Sequence, residues 1–104
     1  MHRKFDPQFL RTLRNDIAIE ELIIELDVPS KRRDGYFRFL CPLCSDFHTA
    51  TNPKTNLARC FRCRRNFNPI EILMVVEKKN FVDSVHVLSE RLAESARAAQ
   101  RRNR

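Results

Sequence analysis

The chain has 104 residues, of which 42% are hydrophobic and 32% charged, and its formal net charge is +7 at pH 7. No apolar run approaches the roughly 20 residues that cross a bilayer, and the first residues lack the apolar stretch of a signal peptide. These features argue against a membrane protein or a secreted one, so we expect a cytoplasmic location. The positive charge predicts a polyanion among the partners, the alternative being a solvated surface that happens to be rich in arginine.

The first third of the chain predicts two helices. Residues 7–15 form a short helical pattern that begins with a proline, as first turns tolerate. A second pattern covers residues 16–27, where apolar side chains recur at helical spacing and either Asn15 or Asp16 would be the N-cap. A Val-Pro pair follows and ends this pattern, because a residue before proline disfavours helical backbone angles.

The middle of the chain predicts a small antiparallel sheet. Residues 31–35 form a basic turn that contains the only glycine, and residues 36–40 form a strand rich in aromatic side chains. Residues 48–52 and 57–61 have the pattern of two further strands. The turn-forming residues between these two strands predict a β-hairpin.

The last third of the chain predicts two more helices. Asn68 is a good N-cap, a proline follows it at the first helical position, and Glu71 can complete a capping box. The final helix buries apolar side chains as far as Leu92, beyond which they shrink to alanines. We therefore expect one domain over residues 1–92 and a basic tail over residues 93–104 that frays.

The four cysteines form two C-x-x-C pairs, Cys41 with Cys44 and Cys60 with Cys63. In a cytoplasmic protein, two such pairs about 15–20 residues apart are typical of a zinc site rather than of disulfides. Two knuckles complete a tetrahedron of thiolates and leave no open position for water, so the spacing predicts one structural Zn²⁺. The predicted fold class is α+β: a zinc ribbon, with a small antiparallel sheet and two knuckles, flanked by N-terminal and C-terminal helices.

The cysteine spacing has alternatives to a zinc site. A thioredoxin-like redox site uses one pair between a strand and a helix, and inert buried cysteines would form two matched knuckles only by coincidence. A four-cysteine iron site satisfies the same spacing, and this alternative stays open. His48 could compete as a ligand, but four thiolates are already present, so a surface or nucleic-acid role suits it better.

Basic and aromatic residues surround the two knuckles. Arginines neutralise phosphates and exposed rings stack on bases, so this mixture predicts a surface for single-stranded nucleic acid. Most phenylalanines must also build the core, and we expect only one or two rings to be exposed, with Tyr36 and Phe47 the better candidates. The predicted nucleic-acid-binding residues are Arg32, Arg33, Tyr36, Arg38, Phe47, His48, Lys54, Arg59, Arg62, Arg64 and Arg65.

Several separate stretches of the chain resemble the zinc-binding domain of bacterial replicative DNA primases, the Cys-His-Cys-Cys primase zinc fingers. The resemblance covers the chain from about residue 14 to residue 92, and the order and spacing of its blocks are more specific than the knuckles alone. The matching stretches are Asp16-Ile17 with the helix up to Leu26, Gly35-Tyr36, Leu40-Cys41-Pro42, Cys60-Phe61-Arg62-Cys63, Ile70-Glu71-Ile72-Leu73-Met74 and Phe81-Val82-Asp83-Ser84-Val85.

The chain departs from this family pattern at two places. Cys44 stands where the family commonly has histidine as its second ligand, which is closer to the four-cysteine primases of some bacteriophages. The glycine-containing segment that usually follows the last ligand is replaced by residues 64–68, which begin with two arginines and make this loop more cationic.

The resemblance implies that the ribbon recognises a single-stranded DNA template. The family's polymerising activity resides in a separate, acidic, metal-dependent domain, for which this chain has no room. We therefore expect a non-enzymatic binding module, either free-standing or working with a primase catalytic chain or a helicase. The alternative is an adaptor that docks on a replication or transcription enzyme through an exposed apolar patch on the helices over residues 69–79 and 81–92. A redox or metal-sensing switch is a third hypothesis.

Overall fold

The computed structural model describes residues 5–102, which form an α+β fold with four helices and one five-stranded sheet. The fold class predicted from the sequence is therefore confirmed. Within residues 5–102, no helix has the length and the apolar character to span a membrane. The elements in chain order are α1 (Pro7–Asp16), α2 (Ile19–Glu25), β1 (Ser30–Arg33), β2 (Tyr36–Phe39), β3 (Thr49–Asn52), β4 (Leu57–Cys60), β5 (Arg65–Phe67), α3 (Pro69–Val76) and α4 (Phe81–Arg102).

The sheet is antiparallel throughout, and its strand order β1-β2-β3-β4-β5 follows the chain. Side chains alternate between two faces, as the pleat of a strand requires. The inner face is apolar and includes the buried rings of Phe37, Phe39 and Phe67. We call the opposite side the outer face; it consists of Lys31, Arg33, Tyr36, Arg38, Ala50, Asn52, Leu57, Arg59, Phe61 and Asn66, none of which is buried.

The four helices pack together and share one apolar core with the inner face of the sheet. The helix α3 packs against α1, α2 and α4, and it also contacts β5. The central side chains of this core, Leu13, Ile23, Ile72 and Leu88, are fully buried. Each buried side chain of this size contributes roughly 1.5–3 kcal/mol relative to an exposed one. The helices therefore gain stability from apolar contacts with one another in addition to any stability from the metal centre.

The start of α3 confirms the capping box predicted for Asn68 and Glu71. The Asn68 side chain accepts a hydrogen bond from the Glu71 backbone N–H at 2.9 Å, and the Glu71 carboxylate accepts one from the Asn68 N–H at 3.0 Å. These bonds satisfy two N–H groups that a helix start leaves without an internal partner. The helix thus begins directly after β5, which fixes its position beside the sheet.

The junction of α1 and α2 differs from the prediction. Asp16 is the last residue of α1, and α2 begins only at Ile19 after an extended turn, so neither Asn15 nor Asp16 is its N-cap. The N-cap position is Ala18, whose side chain cannot accept a hydrogen bond. Instead, the Asn56 side chain from the β3–β4 turn accepts a hydrogen bond from the Ile19 N–H at 2.9 Å. A residue distant in the chain thereby caps the helix.

Two strands were not predicted as strands. Three cations of the expected basic turn, residues 31–33, belong to β1, and the turn itself is reduced to Asp34 and Gly35. Gly35 has a φ of 80°, which explains why the only glycine stands there. The short strand β5 follows the second knuckle and pairs with β4. Both strands lie at the edges of the sheet.

The segment over residues 93–104, which the sequence predicts to fray, is helical as far as the structure describes it. The helix α4 continues without interruption to Arg102. Its last turns are rich in alanine, the strongest helix former. Arg97 also forms ion pairs with Glu90 at 3.2 Å and Glu94 at 2.5 Å, which support an exposed helix. Residues 103 and 104 lie outside the described part of the chain.

Candidate functional site

The sheet brings the two cysteine knuckles together. The first knuckle follows β2, and the second begins with the last residue of β4, two strands away in the sheet. Among residues 5–102, the four cysteines are the one group of three or more potential metal ligands whose ligand atoms converge. Their sulfur atoms all lie within 4.8 Å of one another. The predicted ligand set of Cys41, Cys44, Cys60 and Cys63 is thus present as a cluster.

The spacing of the sulfur atoms fits a tetrahedral zinc ion. The Sγ atoms of Cys41 and Cys63 are 3.7 Å apart, and those of Cys44 and Cys60 are 3.5 Å apart. A tetrahedron with Zn–S bonds of about 2.3 Å has sulfur–sulfur edges of about 3.8 Å. Four thiolates complete the coordination and suit a structural ion. The cluster can therefore hold one Zn²⁺, with no ligand supplied from outside the two knuckles.

Each knuckle is shaped by the same local backbone features. The Leu43 N–H donates to the Cys41 sulfur and the Cys63 N–H donates to the Cys60 sulfur, each at 3.4 Å. The residues that follow the knuckles, Ser45 and Arg64, have φ values of 60° and 58°, which fold the chain back over its first cysteine. Such left-handed positions favour glycine. Arg64 thus occupies a backbone conformation that favours glycine.

The environment shifts the acidity of the thiols in opposite directions. Burial opposes the ionisation of Cys60, but hydrogen bonds from the Cys63 N–H and the neighbouring thiols outweigh it and lower the pKa of Cys60 to about 6. Burial, together with hydrogen bonds to other sulfurs, raises the pKa of Cys44 to about 12 and also raises the pKa of Cys63. Cys60 is therefore more readily available as a thiolate ligand than Cys44 or Cys63.

His48 does not belong to the sulfur cluster. Its Nδ1 contacts the Asp46 carboxylate, whose other oxygen accepts a hydrogen bond from Arg62 at 3.3 Å. Burial opposes the ionisation of Asp46, but the hydrogen bond to His48 and the charge of Arg62 outweigh it and lower the pKa of Asp46. The Asp46 backbone oxygen accepts a hydrogen bond from the Cys41 N–H at 2.9 Å. The contacts of Asp46 with His48 and Arg62 therefore help to hold the first knuckle in place. Four cysteines, and not His48, fill the ligand positions.

The outer face of the sheet joins several of the predicted nucleic-acid-binding residues in one surface. Its strand positions carry four cations, Lys31, Arg33, Arg38 and Arg59, and no acidic residue. Arg59 is oriented by a hydrogen bond of 3.0 Å to the Asn66 side chain. The surface is concave, with an open volume of about 740 Å³ over the sheet, which is also lined by Lys54 and by the ion-paired Glu20 and Arg32.

The rings on this face differ from those expected. Tyr36 is 62% exposed, as predicted for a stacking residue, and Phe61 is equally exposed at 62%. Phe47 is half-buried, and the Lys31 ammonium lies 5.0 Å from its ring centroid, so it is not the second exposed ring. Phe61 was missed, although its place two residues after Arg59 on an extended chain puts both side chains on one face.

Other predicted nucleic-acid-binding residues lie apart from the outer face. Arg32 points to the other side of β1 and forms an ion pair of 2.6 Å with Glu20. Arg62 is paired with Asp46 beside the first knuckle. Arg64 and Arg65 are exposed, at the second knuckle and on β5. The structure thus divides the arginines near the metal into a group on the outer face and a group around the knuckles.

Comparison with known proteins agrees with the geometry of the metal centre. A search of curated proteins found no match to the chain. A sequence model of the CHC2 zinc finger, the zinc ribbon of the DnaG type, matches residues 5–104. That match covers nearly the whole chain, including both knuckles, the sheet and all four helices. The chain therefore belongs to the CHC2 zinc finger family, with cysteines as all four ligands of its metal centre.

Proposed function

We propose that this chain is a template-recognition module that binds single-stranded DNA on the outer face of its sheet. One observation carries the proposal: an uncovered strand face combines two exposed rings with four cations and no acidic side chain. Exposed rings stack on bases without regard to sequence, and nearby cations neutralise the phosphates between them. Membership of a primase zinc-finger family supports a replicative context and favours DNA as the polyanion.

The arrangement of the rings supports a single strand rather than a duplex. Tyr36 lies at the start of β2 and Phe61 just beyond the end of β4, on either side of the row that contains Arg38 and Arg59. Strand spacing and rise place the two rings roughly 16 Å apart. A base can stack on each ring only when it is not paired within a duplex. Phosphates between the two stacked bases would then pass over the arginines.

We propose a binding role and not a catalytic one. The four thiolates complete the coordination of the metal, so the ion would hold the sheet rather than bind substrate. Polymerisation would be carried out by a primase catalytic domain, on another chain or elsewhere. The ribbon would present the template to that domain. The zinc ion, held by the knuckles at the ends of β2 and β4, would fix the relation between the two exposed rings.

The first prediction concerns binding of a short fluorescent oligonucleotide to the zinc-loaded chain. Fluorescence anisotropy should show an affinity that falls with salt, with a logarithmic slope of about −0.7 for each phosphate neutralised. Replacing both Arg38 and Arg59 by glutamine should weaken binding and make this slope shallower. Replacing both Tyr36 and Phe61 by alanine should cost about 1–3 kcal/mol for each stacked base and leave the slope unchanged.

Matched controls lie on the helical layer. The Arg11→Gln and Ile24→Ala variants remove an exposed cation and an exposed apolar side chain from α1 and α2, away from the outer face. Both should bind the oligonucleotide as the unmodified chain does. A duplex of the same sequence should bind more weakly than the single strand. Absence of binding at low salt, or equal effects of the sheet and helix variants, would show that the proposal is wrong.

The alternative of an adaptor finds less support. It requires an exposed apolar patch on α3 and α4, but α3 buries Ile70, Ile72 and Leu73. Within the described part of these two helices, Val87 is the one large hydrophobic side chain that is exposed. A single exposed side chain is ordinary for a protein surface and does not indicate a docking site.

A further inference from the structure

A buried hydroxyl group lies on the inner face of the sheet beside the metal centre. The Thr49 side chain is fully buried, and its Oγ1 has no hydrogen-bond partner among the described residues. Such a group is unfavourable, because folding removes its water partners without replacing them. Thr49 therefore needs an acceptor that its hydroxyl can reach by rotating about the Cα–Cβ bond.

The strand register identifies that acceptor. Thr49 on β3 is directly paired with Cys60 on β4, and directly paired residues place their side chains on the same face. Their Cβ atoms are then about 4.5–5.5 Å apart, which brings the hydroxyl within reach of the sulfur. Cys60 is also fully buried, and its sulfur belongs to the ligand cluster. A metal-bound thiolate keeps lone pairs that accept hydrogen bonds.

We propose that Thr49 is a positioning residue of the metal centre, whose hydroxyl donates a hydrogen bond to the Cys60 sulfur and holds it in its ligand position. The Cys63 N–H donates to the same sulfur at 3.4 Å. Cys60 thus has one donor from its own knuckle and one from the neighbouring strand. Hydrogen bonds to metal ligands of this kind change metal affinity by about 10-fold to 100-fold.

Cobalt substitution tests the proposal, because Co²⁺ bound to thiolates absorbs through sulfur-to-metal charge transfer. Thr49→Val preserves the shape of the side chain and removes the hydroxyl. Its charge-transfer band should move to longer wavelength, since a sulfur lone pair without a hydrogen bond is higher in energy. The variant should also lose zinc to a competing chelator at about 10-fold lower chelator concentration. Thr49→Ser keeps the hydroxyl and should retain the band and the zinc affinity of the unmodified chain.

A control variant is available on the same strand. The Thr51 hydroxyl donates to the Glu20 carboxylate at 3.0 Å and not to a sulfur atom, so Thr51→Val should leave the cobalt band in place. An unchanged band and unchanged zinc affinity in Thr49→Val would overturn the proposal. If that variant does not fold, Thr49→Ser and Thr49→Ala can be compared, since they differ only in the hydroxyl. Identical bands in this second pair would also overturn it.

Discussion

Asn56 shows how one side chain can connect two layers of the molecule. Its Nδ2 donates to the backbone oxygens of Arg14 and Ile17, each at 2.6 Å, while its Oδ1 accepts from the Ile19 N–H. These three backbone groups lie where α1 ends and α2 begins, so neither helix satisfies them. Asn56 also has a φ of 56°, a left-handed conformation that asparagine tolerates better than most residues. Asn56 therefore uses both the hydrogen-bonding capacity of its side chain and the tolerance of asparagine for left-handed backbone angles.

The second prediction concerns Asn56→Gly, which keeps the left-handed backbone and removes the three hydrogen bonds. We expect the free energy of unfolding of the zinc-loaded chain to fall by about 2–3 kcal/mol, because partly buried polar groups lose their partners. Urea denaturation measures this change. Asn52→Ala is the matched control, since Asn52 makes one exposed hydrogen bond to the Lys54 N–H and should cost less than about 1 kcal/mol. Equal losses in the two variants would contradict this role of Asn56.

The site residues differ in how far the sequence could predict them. The four ligands follow from local spacing, because a C-x-x-C knuckle brings two sulfurs together through its own turn. The exposed rings depend on strand register and on which face the helices cover. The local composition predicted an exposed Phe47, but the Lys31 ammonium of β1 lies against its ring. The helix caps differ in the same way. Asn68 caps α3 from the adjacent position, so the sequence predicts it. Asn56 lies 37 positions from Ile19, and its role as the cap of α2 was not predicted.

Both α2 and α3 end in the same type of turn without using glycine. After α3, the Lys79 N–H donates to the Met74 oxygen at 3.1 Å, and Lys78 between them has a φ of 53°. After α2, the Val28 N–H donates to the Ile23 oxygen at 3.3 Å in the same way. This turn usually has glycine in the left-handed position, because a side chain there is strained. The chain therefore keeps a small amount of strain at each of these helix ends.

The third prediction uses two adjacent lysines at the end of α3. Lys78→Gly should raise the free energy of unfolding by about 0.5–1 kcal/mol, because glycine relieves the left-handed strain by more than its added flexibility costs. Lys79→Gly removes the same charge one residue later, outside the strained position, and should give no gain. Thermal denaturation of the two zinc-loaded variants compares them directly. A gain in both variants would attribute the effect to charge and not to backbone conformation.

The strands β1 and β5 were not predicted, and the physical reason is the same for both. The strand β1 consists of four exposed residues at a sheet edge, so it lacks the alternation of apolar and polar residues that marks a half-buried strand. The strand β5 has three residues, too few for any period. In contrast, α1, α3 and the first half of α4 bury a regular apolar stripe, and these were predicted well. A hydrophobic pattern in a sequence arises from side chains that are buried on one face. An edge strand that buries few side chains therefore lacks a recognisable pattern.

On the scale of the whole molecule, the metal centre and the helical core stabilise different regions. The zinc ligands connect the end of β2 with the end of β4, whereas the helices are held mainly by contacts with one another, in an apolar core that also includes Cys41 and Cys60. Zinc binding and folding are coupled where the metal supplies the contacts. Loss of the ion should therefore affect the sheet more than the helices.

The fourth prediction is that chelation unfolds the knuckles and the β3–β4 hairpin first. Hydrogen exchange of the chelated chain should show loss of amide protection in β2, β3 and β4, while amides in α3 and α4 keep a larger part of theirs. Added Zn²⁺ should restore the protection, which controls for irreversible damage. A chain that remains fully protected without metal would show that the zinc has no structural role.

The strand order of the sheet has a consequence for how the chain folds during synthesis. Each strand pairs only with its neighbours in sequence, so every pairing closes a short loop and forms fast. The helix α1, in contrast, packs against α3 and α4, which leave the ribosome after the whole sheet. The ribbon and both knuckles can form and take up metal while the first helix still lacks its partners. Completion of the helical layer is then the step that closes the fold.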